Sequence, residues 1–224
     1  MAKLFKVKCD YHKCPARNEC VFLPYEVETD NGTVDVMFIG EGPGPAEVKM
    51  MRPFIGPSGT ILRNIISRVG IKRYAIDNLV RYHPTENGNT VPPSKEAIHY
   101  CGRHLIRIIN KLKPKKIVIV GGQALKFLDN SSSHITSERG RVRELTIGNI
   151  KVKCMPTFHP AFALRSGSFI DSKSSNLIGV IFDDINRFYN DINYTIPEPP
   201  KANVVSSIDG IDKLSDRIHS SKIV

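Results

Sequence analysis

The sequence predicts an α/β protein of three layers, α/β/α, on a central four-stranded parallel sheet. Four short apolar runs have strand composition: 33–39 (TVDVMFI), 74–80 (YAIDNLV), 116–120 (KIVIV) and 150–155 (IKVKCM). Amphipathic stretches with helical spacing separate them, the alternation that places helices on both faces of a parallel sheet. The runs also open into loops rich in Gly and Pro, and such sheets bind ligands at the carboxyl ends of their strands.

The elements follow in order. Residues 1–29 read as an irregular, cysteine-bearing arm. The first strand, 33–39, ends in a loop over 40–59 (GEGPGPAEVKMMRPFIGPSG) with five glycines, four prolines and two carboxylates. Ser58 is expected to cap a helix over 60–69, whose apolar Ile61, Leu62, Ile65 and Ile66 share one side. The second strand, 74–80, leads into a polar loop through Pro93. A long amphipathic helix over 94–113 carries Ile98, Cys101, Leu105, Ile108 and Ile109 on its apolar stripe. The third strand, 116–120, ends at Gly121-Gly122 before a short helix. The fourth, 150–155, runs into Pro156-Thr157-Phe158-His159-Pro160, and a helix over 175–189 closes a domain spanning 30–192. Residues 193–203 form a Pro-rich linker, and 204–224 read as the start of a following domain.

Composition narrows the function. The 224 residues carry 32 Lys and Arg against 22 Asp and Glu, a net charge of +10, which favours a polyanionic partner such as nucleic acid. No run reaches a membrane span and the amino terminus has no signal-peptide character, so a cytoplasmic protein without a membrane partner is expected. In that reducing setting the five cysteines suggest metal binding or chemistry before disulfides. No glycine-rich phosphate loop follows a strand, which argues against a nucleotide-binding protein.

Three loops carry the candidate site. In the first, Glu41 follows directly on the strand, Glu47 lies six residues on, and the face of Phe54 suits stacking on a planar heterocycle. Phe54 as a minor-core aromatic and Glu41 as a loop-bracing carboxylate fit the same letters. Asn78, near the second strand's exit, offers a donor and an acceptor side by side, matching a pyrimidine edge or bracing a turn. His159 sits in the third loop, its backbone restricted by Pro160.

The segments GEGPGPAEVKMMRPFIGPSG, IDNLVRYHP and FHPAFALR resemble, in order and spacing, the signatures of the family 4 (iron–sulfur) uracil-DNA glycosylases over about residues 36–189. The resemblance implies the uracil-DNA glycosylase-like fold and hydrolysis of the N-glycosidic bond of a uracil flipped out of single- or double-stranded DNA. By the same resemblance, His159, Glu41 and Glu47 are catalytic. His159 would hydrogen-bond uracil O2 as charge develops, and Glu47 would position water or steady the sugar cation. Phe54 would stack on the base, Asn78 would read its edge, and Gly42, Pro43 and Gly44 would line it. Ser58, Leu164 and Arg165 would contact DNA, Leu164 as a wedge and Arg165 near phosphate.

Three positions depart from the family pattern: Val48 where it has Asp, Met51 where it has Gly, and Tyr82 where it has a cluster cysteine. The family's [4Fe–4S] cluster would draw here on Cys9, Cys14, Cys20 and Cys101, the third arm cysteine replacing the one absent at position 82. Four thiolates also suit Zn²⁺, and a reduced set without metal is the remaining reading, with His12 or His83 as further candidate ligands. Cys154 reads as a small core residue. A monomer is expected. The likeness of such domains to the amino-terminal part of some viral family A DNA polymerases raises a second reading. In it, the chain is a weak or inactive DNA-binding module ahead of an exonuclease-like domain, in a host cytoplasm.

Overall fold

The computed structural model describes residues 2–6, 22–129, 134–165 and 177–192. These fall in the first of two compact units, Met1–Tyr194; the second, Thr195–Val224, lies outside the described residues, as do the expected linker over 193–203 and following domain over 204–224.

In chain order the strands are β1 (Lys3–Phe5), β2 (Tyr25–Glu28), β3 (Val36–Gly40), β4 (Tyr74–Asn78), β5 (Thr85–Glu86), β6 (Asn89–Thr90), β7 (Lys116–Val120), β8 (Arg143–Ile147) and β9 (Ile150–Thr157). The helices are α1 (Pro45–Met50), α2 (Pro57–Val69), α3 (Lys95–Leu112), α4 (Gly122–Asp129), α5 (Ile135–Glu138), α6 (Pro160–Arg165) and α7 (Leu177–Tyr189).

One sheet has the order β1-β2-β4-β3-β7-β9-β8, and β5 pairs with β6 in a separate hairpin. The four expected strands are its parallel centre, β4-β3-β7-β9. The expected central four-stranded parallel sheet is present, and antiparallel strands extend it at both edges. β2 adds antiparallel to β4 and β8 antiparallel to β9, so the sheet has seven strands and is mixed. The reading of 1–29 as irregular is corrected, since Lys3–Phe5 and Tyr25–Glu28 are strands. Both are too short to show a period of their own; pairing with a neighbour makes them strands.

Alternation along β3 divides the core. Val36 and Phe38 face a cluster with Leu62, Ile65 and Ile66 of α2 and Ile181, Ile185 and Phe188 of α7. Met37 and Ile39 face the other cluster, with Cys101, Leu105 and Ile109 of α3 and Ala124 and Leu125 of α4. Helices thus cover both faces, as the three-layer expectation requires. Cys154 is fully buried in β9, and burial raises its thiol to about 12, in keeping with a core residue.

Ser94 caps α3, its side chain accepting from the Ala97 amide. Ser58 does not cap α2: the N-cap is Gly56, with Pro57 at the first helical position and Ser58 inside the first turn. Proline is pre-set for that position, and it moves the helix start upstream of the serine.

Candidate active site

The chain reverses direction across the sheet between β3 and β7, and outside their carboxyl ends lies a cavity of about 620 Å³. All three loops contribute to its wall. Glu41, Gly42, Pro43, Gly44, Glu47, Phe54 and Ser58 come from the first, and His159 and Arg165 from the third. Of the expected residues Asn78 and Leu164 are not on the wall. The segment after β4 supplies Val80 and His83 instead, and α6 supplies Phe162.

Phe54 is 5% exposed and takes a left-handed backbone conformation, φ +50°, unusual for a side chain of its size. Its ring stacks on the His159 imidazole at a centroid distance of 5.7 Å and an interplanar angle of 29°. Asn78 stands directly behind. In the β3–β4 register it lies opposite Gly40, and a Cβ on Gly40 would come within 2.5 Å of the Phe54 ring and 2.6 Å of Asn78 Oδ1. The absent side chain lets ring and amide meet. Asn78 Oδ1 is buried without a hydrogen-bond partner, a polar atom left for something else to satisfy. The Asn78 amide N–H donates to Asp77 Oδ1 at 2.8 Å, and Asp77 pairs with the buried Arg81, which also donates to the Leu23 carbonyl at 2.9 Å. Asn78 therefore sits on a braced backbone.

Glu47 has a structural task that its spacing did not reveal. Its Oε2 accepts from Gly44 N at 3.0 Å, and Oε1 accepts from Ile55 N at 3.0 Å and Gly56 N at 2.8 Å. One 7%-exposed carboxylate thus closes the first loop, joining the start of α1 to the start of α2 and fixing the turn that carries Phe54.

His159 follows β9, whose end is anchored from α7: Thr157 Oγ1 donates to Asp184 Oδ2 at 2.8 Å, and Arg139 forms a two-point pair with Asp184. The Ala161 amide donates to His159 Nδ1 at 3.1 Å, so the neutral ring carries its proton on Nε2. Burial lowers its pKa to about 4, Arg165 acting in the same sense and Glu47 against. At neutral pH His159 is an uncharged donor through Nε2. Burial pushes the Glu41 carboxyl up, with Arg165 opposing.

His83, considered above only as a metal ligand, holds the loops together. Its Nδ1 donates to the Pro43 carbonyl at 2.8 Å and its Nε2 lies 3.2 Å from Thr90 Oγ1 of the hairpin. The histidine before Pro84 was the available signal. Leu164, the expected wedge, is half-buried off the wall, whereas Phe162 is 43% exposed on the rim, its ring 5.4 Å from that of Phe158. On a short helix the two lie on different sides, which a linear motif does not distinguish.

Among the described residues no three His, Cys, Asp or Glu side chains gather so as to hold a metal ion. Cys101 is 1% exposed in an apolar cluster that also holds Tyr82, and Cys9, Cys14 and Cys20 lie outside the described residues, as does His12. The described part therefore supplies one thiolate of the expected four. Nor is any helix among the described residues long and apolar enough to cross a membrane.

The sequence pattern of the uracil DNA glycosylase superfamily matches residues 27–185. The chain is 32% identical to the Type-4 uracil-DNA glycosylase of Thermotoga maritima over 179 residues, 75% of this chain and 87% of that protein. It is 30% identical to the Type-4 enzyme of Pyrobaculum aerophilum over 187 residues, 81% and 90% of the two chains. With that of Archaeoglobus fulgidus the identity is 29% over 163 residues, 70% and 77%. On this match, and on the fold it accompanies, the chain belongs to the uracil DNA glycosylase superfamily, beside its type-4 members.

Proposed function

We propose that this protein hydrolyses the N-glycosidic bond of uracil everted from DNA, releasing the free base and leaving an abasic site. The observation that carries the reading is the stack of Phe54 on a neutral, Nε2-protonated His159 at the wall of one cavity, with Asn78 Oδ1 unsatisfied behind the ring. A flat heterocycle entering there finds an aromatic face and an oriented donor, with the Asn78 amide just beyond the wall beside the ring.

As the C1′–N1 bond breaks, its electron pair leaves with uracil and the sugar becomes cation-like. His159 Nε2–H donates to the O2 where negative charge collects; a neutral donor suits this because no proton need be transferred in full. Asn78 takes the base edge and Phe54 its face. Glu41 places its carboxylate on the cavity wall, where it steadies the sugar cation and orients the attacking water. Glu47, with three amides to hold, acts by shaping the loop of Gly42, Pro43 and Gly44 more than by touching the sugar. Ser58 and Arg165 face phosphate, and the excess of cations attracts the DNA.

The reading includes an iron–sulfur cluster on Cys9, Cys14, Cys20 and Cys101, which when bound would staple the arm to the domain; four thiolates suit that group or Zn²⁺ alike. Visible absorbance with iron content supports the cluster, and a colourless zinc protein replaces it. The polymerase-fusion reading rests on 204–224, outside the described residues. The activity is tested by incubating the purified chain with uracil-containing DNA. Free uracil released by the native chain and lost in His159→Ala supports the assignment; DNA binding with no release leaves a non-cleaving module.

A further inference from the structure

Phe54 holds a left-handed backbone that a phenylalanine adopts at a cost of about 1–3 kcal/mol, so neighbouring groups must keep it there. Beside Glu47, which braces the following amides, one side chain grips the Phe54 backbone itself. Arg63 Nε donates to the Phe54 carbonyl at 2.7 Å and its Nη2 to the Pro53 carbonyl at 2.8 Å. The same guanidinium grips Glu26 through two 2.8 Å bonds, Nη1 to Oε1 and Nη2 to Oε2. Glu26 is completely buried on β2, and Arg52 closes on its other side at 2.6 and 3.1 Å. Gly59, one turn before Arg63 on α2, lies so close that a Cβ there would come within 2.0 Å of the Phe54 carbonyl carbon. The face of α2 that carries Gly59 and Arg63 thus reads the backbone of Phe54, with Glu26 aiming the arginine.

We propose that Arg63, oriented by the buried carboxylate of Glu26, is a positioning residue that holds Phe54 in its stacked pose against His159. The proposal rests on the base-stacking reading of Phe54. It also gives the antiparallel strand β2 a part in the site without touching the cavity. Four directed hydrogen bonds from one planar group explain why arginine stands there: a lysine ammonium keeps the charge beside Glu26 but cannot span both carbonyls and both carboxylate oxygens.

The test uses Arg63→Lys, Phe54→Ala and the double variant, with Glu26→Gln as a second way to release the clamp. In Arg63→Lys, kcat for uracil release is expected to fall about 10- to 100-fold, because a misaimed base loses its alignment with His159, while KM changes less than about threefold. In the Phe54→Ala background the same substitution should change kcat less than about twofold, since the clamp then has nothing to hold. A turnover-free readout accompanies this: the His159 ring protons, assigned in the NMR spectrum by their loss in His159→Ala, should shift in Arg63→Lys in the direction they shift in Phe54→Ala. The proposal is overturned by unchanged His159 resonances in Arg63→Lys, or by equal losses of kcat with and without Phe54. If the native chain releases no uracil, the glycosylase reading falls, and the resonances alone decide the clamp.

Discussion

The ring of Phe54 lies over the imidazole of His159, 5.7 Å between centroids, though one follows β3 and the other β9. The aromatic that would hold a base and the donor that would receive its charge are therefore one packed unit.

The donor's chemistry leads to a pH expectation. With Nδ1 accepting from Ala161 and a pKa near 4, His159 stays neutral over the working range. The unfolded chain binds this proton near pH 6.5 and the folded chain only near 4, so the group's contribution is fully present above 6.5 and lost as pH falls toward 4. It amounts to on the order of 3 kcal/mol. Denaturation midpoints across pH 4–7 should fall on the acid side in the native chain and flatten in His159→Gln. Uracil release by the native chain should show no inflection near pH 6.5.

His159→Ala should lower kcat by about 10²–10³-fold, the usual loss for one oriented donor. A fall under tenfold, with the fold intact by circular dichroism, would move the burden of charge stabilisation elsewhere.

For Asn78, removing an amide whose Oδ1 already lacks a partner should leave stability nearly unchanged. Asn78→Ala is thus expected to keep its melting temperature within about 3 °C. Uracil release should drop steeply, measured as kcat/KM on the same DNA.

Glu47→Gln separates bracing from direct chemistry. The amide matches the shape but turns an NH₂ toward backbone N–H donors, so a loss of about 1–3 kcal/mol in stability should accompany any loss in activity. Reduced kcat at unchanged stability would restore a direct role in catalysis.

Gly121 sits at φ +100°, with a Cβ position 3.2 Å from that of His159. Gly121→Ala should cost about 1–3 kcal/mol through backbone strain and press on His159, seen as a lower melting temperature together with slower uracil release.

What the letters determined was local. Apolar runs of strand composition, helical spacing in 94–113 and the Gly- and Pro-rich loop of 40–59 encode themselves over a few residues. From them the four central strands, the helices on both faces and the three site loops were legible. Tertiary structure decided everything that depends on a distant partner. β2 is a strand because β4 lies beside it, and α2 starts at Pro57 with Gly56 as its cap. Glu47 is a brace because three amides converge on it, His159 is a neutral donor because Ala161 and burial make it so, and Phe54 is held by an arginine and a glutamate from α2 and β2. Period and composition are properties of neighbours along the chain; hydrogen-bond geometry and desolvation exist only once the folded chain brings distant residues together.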